Sequence, residues 1–250
     1  MEASAGSETG ARVLATARRV AAGLTAGAVA GLLVGGVGGR IAMLVLRLTS
    51  NPLLHGATTD DGFTIGIVSA STLFLLVLTT IVGATVGAGY LLVRTWLPER
   101  LRPWVAGILG ALVGGARIVR PGGIDFTLLD PLPLAVAMFI AIPAGVGIAT
   151  SLLTERFLRD GSTFQRSRAA LASLVLLVPV VTLPVSVGTQ APLVLLAEAA
   201  IVALVALAYR RGQLARVWSS VPVVWLGRAA LAAAAVTSSI ELARDVNAIF

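Results

Sequence analysis

The sequence predicts an all-α polytopic integral membrane helix bundle of about seven transmembrane helices, with two like-oriented helical hairpins forming the first four. Composition is the first reason. The 250 residues are 57% hydrophobic and only 12% charged, which is about half the charged fraction of an average soluble domain. The second reason is length, because the chain divides into apolar runs near the roughly 20 residues that a helix needs to cross a bilayer.

Seven apolar runs are the candidate spans, and prolines interrupt two of them. In chain order the runs are Val20–Leu46, Ile65–Val93, Trp104–Val119, Leu134–Leu153, Ala169–Val187, Pro192–Ala208 and Val221–Ile240. Pro143 lies in the fourth run, and Pro179 and Pro184 make the fifth a candidate for a bent helix. The seventh run is alanine-rich and contains Arg228, so six spans followed by a surface helix are the alternative.

The arginines predict the orientation of the chain. All 19 basic residues are arginine, and they concentrate before the first run and in every second loop after it. Because positive loops remain in the cytoplasm, residues 1–19 are predicted to form a cytoplasmic segment and the C-terminus to lie outside. The composition is typical of a high-GC bacterial genome, which places the protein in the bacterial plasma (inner) membrane.

Three matched blocks predict that residues 20–159 are a duplicated two-helix unit. The sequence from Gly38 to Ile41 resembles that from Gly114 to Ile118, and the block at Asp61 resembles the block at Asp125. The third match joins residues 97–102 with residues 153–159. The copies are therefore 20–102 and 103–159, a parallel repeat, followed by a three-helix remainder at 160–250.

Glycine recurs at every fourth position of the first span. The residues of this glycine stripe are Gly23, Gly27, Gly31, Gly35 and Gly39. Spacing of four places them on one helix face, where the absence of side chains lets another backbone approach closely. We expect this stripe to pack within the chain, with a dimer face or a pore lining as the alternatives.

Arg40 and Arg117 occupy matching places near the outer ends of the first and third spans. An isolated charge in lipid costs at least about 2.5–3.5 kcal/mol, so each guanidinium should have a partner. The outer loops supply four acidic candidates: Asp60, Asp61, Asp125 and Asp130. These pairs would pin the loops over the hairpins, or form a polar vestibule for an anion, a proton or a lipid headgroup.

Glu198 is the acidic residue within the sixth apolar run. A carboxylate inside the membrane is a functional hypothesis by default, here a proton carrier, with a structural hydrogen bond or an ion pair as the alternative. The chain has no cysteine and one histidine, His55, so disulfides and Cys/His zinc sites are excluded. No metal and no cofactor are expected.

Three functions remain compatible with these features. Small-solute or ion transport, with a proton as a candidate coupling ion, leads because of the repeat, the broken span and Glu198. A non-catalytic membrane subunit or assembly factor is the second. The third is an intramembrane enzyme acting on a lipid-linked substrate, which only the outer aspartates favour, so enzymatic activity is not the expectation. The partners expected are the bilayer and either a second copy or another membrane protein, and not nucleic acid.

Overall fold

A computed structural model describes residues 2–51, 70–167, 172–173 and 213–250, and these residues form helices and no strands. The all-α prediction is confirmed for them. Four helices are long and apolar enough to cross a membrane: Leu14–Thr49, Thr72–Val93, Leu132–Leu158 and Val221–Ile249. They correspond to the first, second, fourth and seventh predicted spans. The fifth and sixth spans lie outside the described residues, except for 172–173.

The helices follow the predicted runs with some differences in length. The first hairpin contains α1 (Glu2–Ala30), a π-helical segment (Gly31–Val37), α2 (Gly38–Thr49) and α3 (Ala70–Val93). The second contains α4 (Arg102–Leu109), a π-helical segment (Gly110–Gly114), α5 (Gly115–Ile118), the short α6 (Ile124–Thr127) and α7 (Leu132–Leu158). After it come α8 (Thr163–Arg166), α9 (Gln213–Trp218) and α10 (Val221–Ile249).

The third predicted span is helical from 102 to 118 and is shorter than the other four. Its length is at the lower limit of the roughly 17–25 residues used by spanning helices. In contrast, α10 continues beyond the predicted end at Ile240 as far as Ile249. The helix therefore includes Glu241, Arg244 and Asp245, which the sequence pattern had left outside the span.

Proline defines where several helices begin. Three helices have a proline at their second position: Pro103 in α4, Pro133 in α7 and Pro222 in α10. The missing amide hydrogen costs nothing at this position, because the first helical N–H groups have no partner within the helix. Pro143 does not interrupt its span as the sequence suggested, since α7 continues through it as one helix.

Backbone contact between glycines joins the two helices of the first hairpin. A Cβ atom added to Gly27 would lie 2.7 Å from the amide nitrogen of Gly87, and one added to Gly31 would lie 2.8 Å from the Cα of Gly83. Only residues without side chains permit this approach. The glycine stripe of α1 therefore contacts α3 within the same chain.

The second hairpin packs in the same manner. A Cβ on Gly110 would contact the carbonyl oxygen of Pro143, and one on Gly147 would contact the carbonyl oxygen of Ala106. The glycines of the 102–118 helix thus make room for the proline of α7. Val34 of the first helix lies against Gly145, so α7 packs between the first helix and the 102–118 helix.

The long helix α10 follows the 102–118 helix from one end of the bundle to the other. Near its start, Gly227 lies against the ring of Trp96. Near its other end, Leu242 is buried with Val119 and Phe126. We call the first of these ends, which holds residues 94–102 and 155, the Glu155 end, and the second, which holds residues 119–131, the Asp130 end.

Candidate functional site

A cluster of polar side chains joins three helices at the Glu155 end. The Glu155 cluster consists of Tyr90 and Arg94 from the end of α3, Arg102 from the start of α4, and Ser151 and Glu155 from α7. Tyr90 is buried and Ser151 is fully buried. The side chains of Arg94 and Glu155 are about three-quarters buried, and that of Arg102 is 12% exposed.

The carboxylate of Glu155 accepts four hydrogen bonds. Tyr90 Oη donates to Oε1 at 2.8 Å, and Arg94 donates from Nε to Oε1 at 3.0 Å and from Nη2 to Oε2 at 2.8 Å. Arg102 Nη1 donates to Oε2 at 3.2 Å. Ser151 completes the cluster by donating its hydroxyl to Tyr90 Oη at 2.9 Å. Charge-assisted bonds of this kind are about twice as strong as neutral ones.

The electrostatics of the cluster favour the charged form of the Arg94 guanidinium. Burial alone would lower the pKa of the Arg94 guanidinium, but the hydrogen bond and the negative charge of Glu155 outweigh burial. The pKa of Arg94 is therefore above its ordinary value. Arg102 also donates to Glu99 at 3.4 Å, so one guanidinium contacts the two glutamates that the sequence repeat placed in matching positions.

Two further hydroxyls are buried in α7 beside this cluster. Thr150 and Thr154 are 1% and 0% exposed, and neither Oγ1 has a hydrogen-bond partner in the described part of the chain. Other threonines donate to the carbonyl three or four residues before them: Thr49, Thr79, Thr80, Thr85, Thr127 and Thr237. Thr150 and Thr154 thus differ from the usual state of a threonine in an apolar helix.

At the opposite end of the bundle, the residue Asp130 is held through its backbone. Ser50 Oγ donates to the carbonyl oxygen of Asp130 at 3.1 Å and accepts from its N–H at 2.8 Å, while Thr49 Oγ1 lies 2.7 Å from the same carbonyl. The Asp130 residue itself is exposed. These bonds fasten the end of α2 to the start of α7.

The remaining predicted polar residues are distributed over the Asp130 end. Arg40 is half-buried in α2, three residues after the first π-helical segment. Arg117 is exposed in α5 and forms no ion pair with any described residue. Asp125 is half-buried in α6, where its neighbour Phe126 is buried and anchors the loop.

Four residues of the sequence analysis belong to parts of the chain that the structure does not describe. Asp60, Asp61, Glu198 and His55 lie outside the described residues, so the pairing of Asp61 with an arginine stays a prediction. Gly39 is described, and a Cβ added to it would meet no atom of the described residues within 4 Å. The close contact of the glycine stripe is therefore made by its first members and not by its last.

The sequence pattern relates Arg94 and Arg102 only to topology and Glu155 only to the repeat. It does not single out Tyr90 or Ser151. A usable signal was present, because Tyr90 and Arg94 are four residues apart at the end of one span, as are Ser151 and Glu155 at the end of another. Residues at this spacing share a helix face, and opposite charges on two such faces favour contact.

The described part of the chain brings together no three His, Cys, Asp or Glu side chains that could hold a metal. The cluster is therefore a hydrogen-bonded ion-pair network with buried hydroxyls behind it. No protein family, no characterised protein and no solved structure matches the chain. Its function has to be argued from these contacts.

Proposed function

We propose that this protein transports a small solute or an ion across a bacterial plasma membrane, with a proton as the candidate coupling ion. The observation that carries the proposal is the pair of buried hydroxyls on Thr150 and Thr154, which have no partner among the described residues. An unmade hydrogen bond of this kind costs about 1–3 kcal/mol. In a helix surrounded by lipid, water or a permeating ion is the partner that would compensate for it.

The two hydroxyls lie beside the Glu155 cluster, which in this proposal is a barrier that can open. Glu155, Arg94 and Arg102 connect three helices at the Glu155 end, and each side chain retains some exposure to solvent. Hydration weakens ion pairs that are only partly buried. The Glu155 cluster would thus close a path lined by Thr150, Ser151 and Thr154, and its separation would admit water.

The topology proposed is seven spans with the Glu155 end in the cytoplasm. Arginines at the Glu155 end outnumber those at the Asp130 end: Arg94, Arg100, Arg102, Arg156, Arg159, Arg166, Arg216 and Arg228 against Arg40, Arg47, Arg117, Arg120 and Arg244. This excess supports a cytoplasmic Glu155 end. Membrane-impermeant thiol labelling tests it in the cysteine-free chain, because Arg120→Cys should react in intact cells and Arg100→Cys only after lysis.

Paired features of the two hairpins support the parallel repeat. The π-helical segment of the first helix ends at Val37, three residues before Arg40, and that of the 102–118 helix ends at Gly114, three residues before Arg117. In both hairpins, glycines of the first helix contact the backbone of the second. Short π-helical segments are also frequent at functional sites.

Cysteine accessibility tests the proposed path without knowledge of the substrate. Thr150→Cys should react with a small charged thiosulfonate added from the cytoplasmic side. Leu152→Cys is the matched control and should not react, because Leu152 is 54% exposed among the described residues and in the proposed arrangement would face lipid. Failure of Thr150→Cys and Ser151→Cys to react in protein that is folded in vesicles would overturn the proposal.

Proton coupling has its own test. Vesicles that contain the protein and a trapped pH-sensitive dye should acidify faster than empty vesicles when a membrane potential is imposed. Glu198→Gln should remove this difference if Glu198 carries the proton. Equal rates for the wild type and this variant would exclude Glu198 as the carrier.

A membrane subunit is the second candidate function. The observation that favours it is the exposure of α10, of whose most apolar stretch only 6% is buried. This surface could accept a partner helix as well as lipid. Purification of the tagged chain from its own membranes in a mild detergent would test this candidate, which predicts one companion protein in a fixed ratio.

A further inference from the structure

An apolar groove opens between α4 and α10 near the Glu155 end. Val105, Ile108 and Leu109 line one side, and Leu231, Ala232 and Ala235 line the other. The groove has a volume of about 450 Å³, within the range of roughly 300–1,000 Å³ typical of small-ligand sites. Trp96 and Arg228 close it at the Glu155 end.

All four tryptophans of the chain lie near this closed end. Trp96 stacks on Trp218 with ring centroids 4.9 Å apart, and the indole N–H of Trp218 donates to the carbonyl oxygen of Leu92. Trp104 and Trp225 are 66% and 64% exposed. Tryptophan concentrates at the boundary between hydrocarbon and headgroups. The closed end of the groove is therefore at headgroup depth.

Arg228 is held at this boundary, and most of its donors have no acceptor among the described residues. Its Nε donates to the carbonyl oxygen of Trp96 at 2.7 Å, and its guanidinium lies 5.4 Å from the ring centroid of Trp225. A guanidinium has five N–H groups, and the bond from Nε is the one that Arg228 forms within the described residues. The terminal nitrogens can bind a phosphate in a bidentate manner.

We propose that this groove binds an anionic phospholipid, with its phosphate on Arg228 and the first part of an acyl chain along Leu231 and Ala235. The apolar walls match the hydrocarbon, and the positive charge matches the headgroup. Basic pockets between spanning helices on the cytoplasmic side are suited to such lipids. A zwitterionic lipid would bring its own cation close to Arg228, so the site favours a headgroup with net negative charge.

Fluorescence quenching by brominated lipids tests this assignment. The full chain is placed in phosphatidylcholine vesicles that contain a minor fraction of either brominated phosphatidylglycerol or brominated phosphatidylcholine. Because the four tryptophans lie at this end, quenching reports the lipid beside the groove. Brominated phosphatidylglycerol should be preferred about fivefold, the ratio expected from one basic residue at the membrane surface. Equal quenching by the two lipids would refute the proposal.

Two pairs of variants locate the binding. Arg228→Gln should abolish the preference, whereas Arg100→Gln, which removes an exposed charge at the same end, should leave most of it. Ala232→Leu should reduce the preference by filling the groove, while Ala233→Leu, outside the lining, should not. An equal loss with Arg100→Gln would indicate general surface attraction and contradict the proposal. A change in oligomeric state with Ala232→Leu would assign the groove to a second copy instead.

Discussion

Both oxygens of the Glu155 carboxylate accept hydrogen bonds from the guanidinium of Arg94, at 3.0 Å and 2.8 Å. The two residues come from different hairpins of the predicted repeat, since Arg94 follows α3 and Glu155 lies in α7. The pair therefore joins one hairpin to the other at the Glu155 end, beyond the last glycine contact between α1 and α3. Arg102 binds the same carboxylate, which makes Glu155 the shared acceptor for two positive charges.

Removal of the charge on Glu155 should destabilise the protein. Glu155→Gln leaves Arg94 partly buried without its counter-ion, and leaves Arg102, among the described residues, with only the exposed carboxylate of Glu99 at 3.4 Å. We expect a loss between the roughly 1 kcal/mol of an exposed pair and the roughly 3–5 kcal/mol of a buried one. Thermal unfolding in detergent measures the loss. Glu99→Gln is the control, because the Glu99 side chain is 85% exposed. Equal effects of the two variants would contradict a central role for Glu155.

The unpartnered hydroxyls predict opposite effects on stability and on transport. Thr150→Val and Thr154→Val keep the side-chain shape but remove a buried group that lacks a hydrogen-bond partner among the described residues. Each should raise stability or leave it unchanged, with a gain of up to about 1–3 kcal/mol. Passage of water or ions through the proposed path should become slower, because its lining has lost a polar group.

Thr80→Val is the matched control for these variants. Thr80 Oγ1 donates to the carbonyl oxygen of Leu76 at 2.6 Å, so its replacement removes a bond that is made and should not stabilise the protein. Thermal unfolding and the labelling rate of Ser151→Cys in each background provide the two readouts. Stabilisation without any change in labelling would mean that the hydroxyls do not line a path.

The glycine stripe predicts two contrasting alanine variants. A Cβ at Gly27 would meet backbone atoms of Gly83 and Gly87, which cannot move aside without separating α1 from α3. Gly27→Ala should therefore cost about 1–3 kcal/mol or more. At Gly39 the same substitution meets no atom of the residues that the structure describes and should stabilise the helix by up to about 1 kcal/mol. Size-exclusion profiles after heating distinguish the two.

Helix positions could be predicted because lipid imposes a simple local rule. Any stretch that crosses the bilayer must be apolar over its whole length and must satisfy its own backbone hydrogen bonds as a helix. The four described helices that are long and apolar enough to cross a membrane therefore overlap the predicted runs, although α10 continues to Ile249, and Gly27 was identifiable as a packing residue from its spacing alone. The spacing also favoured packing within the chain, but it could not identify Gly83 as the neighbour of Gly27, because spacing describes one helix and not the helix beside it.

The polar contacts could not be predicted for the same reason. Glu155 bonds to residues 61 and 53 positions earlier in the chain, and such pairings depend on how the helices are arranged. Arg94 and Arg102 fit the pattern of arginines expected in cytoplasmic loops, so nothing in that pattern indicated that they also bind Glu155. A charge that explains the topology can also form a specific bond.

The side chain and the backbone of Asp130 suggest different roles for this residue. The sequence favoured the carboxylate as a partner for an arginine, yet the residue is exposed, and its N–H and carbonyl form the bonds to Ser50. Asp130→Asn should consequently leave stability nearly unchanged. Ser50→Ala should cost about 1–3 kcal/mol, because it removes two bonds and deprives the Asp130 N–H of its acceptor. Thermal unfolding of the two variants decides between the roles: a large loss with Asp130→Asn and none with Ser50→Ala would restore the carboxylate as the functional group.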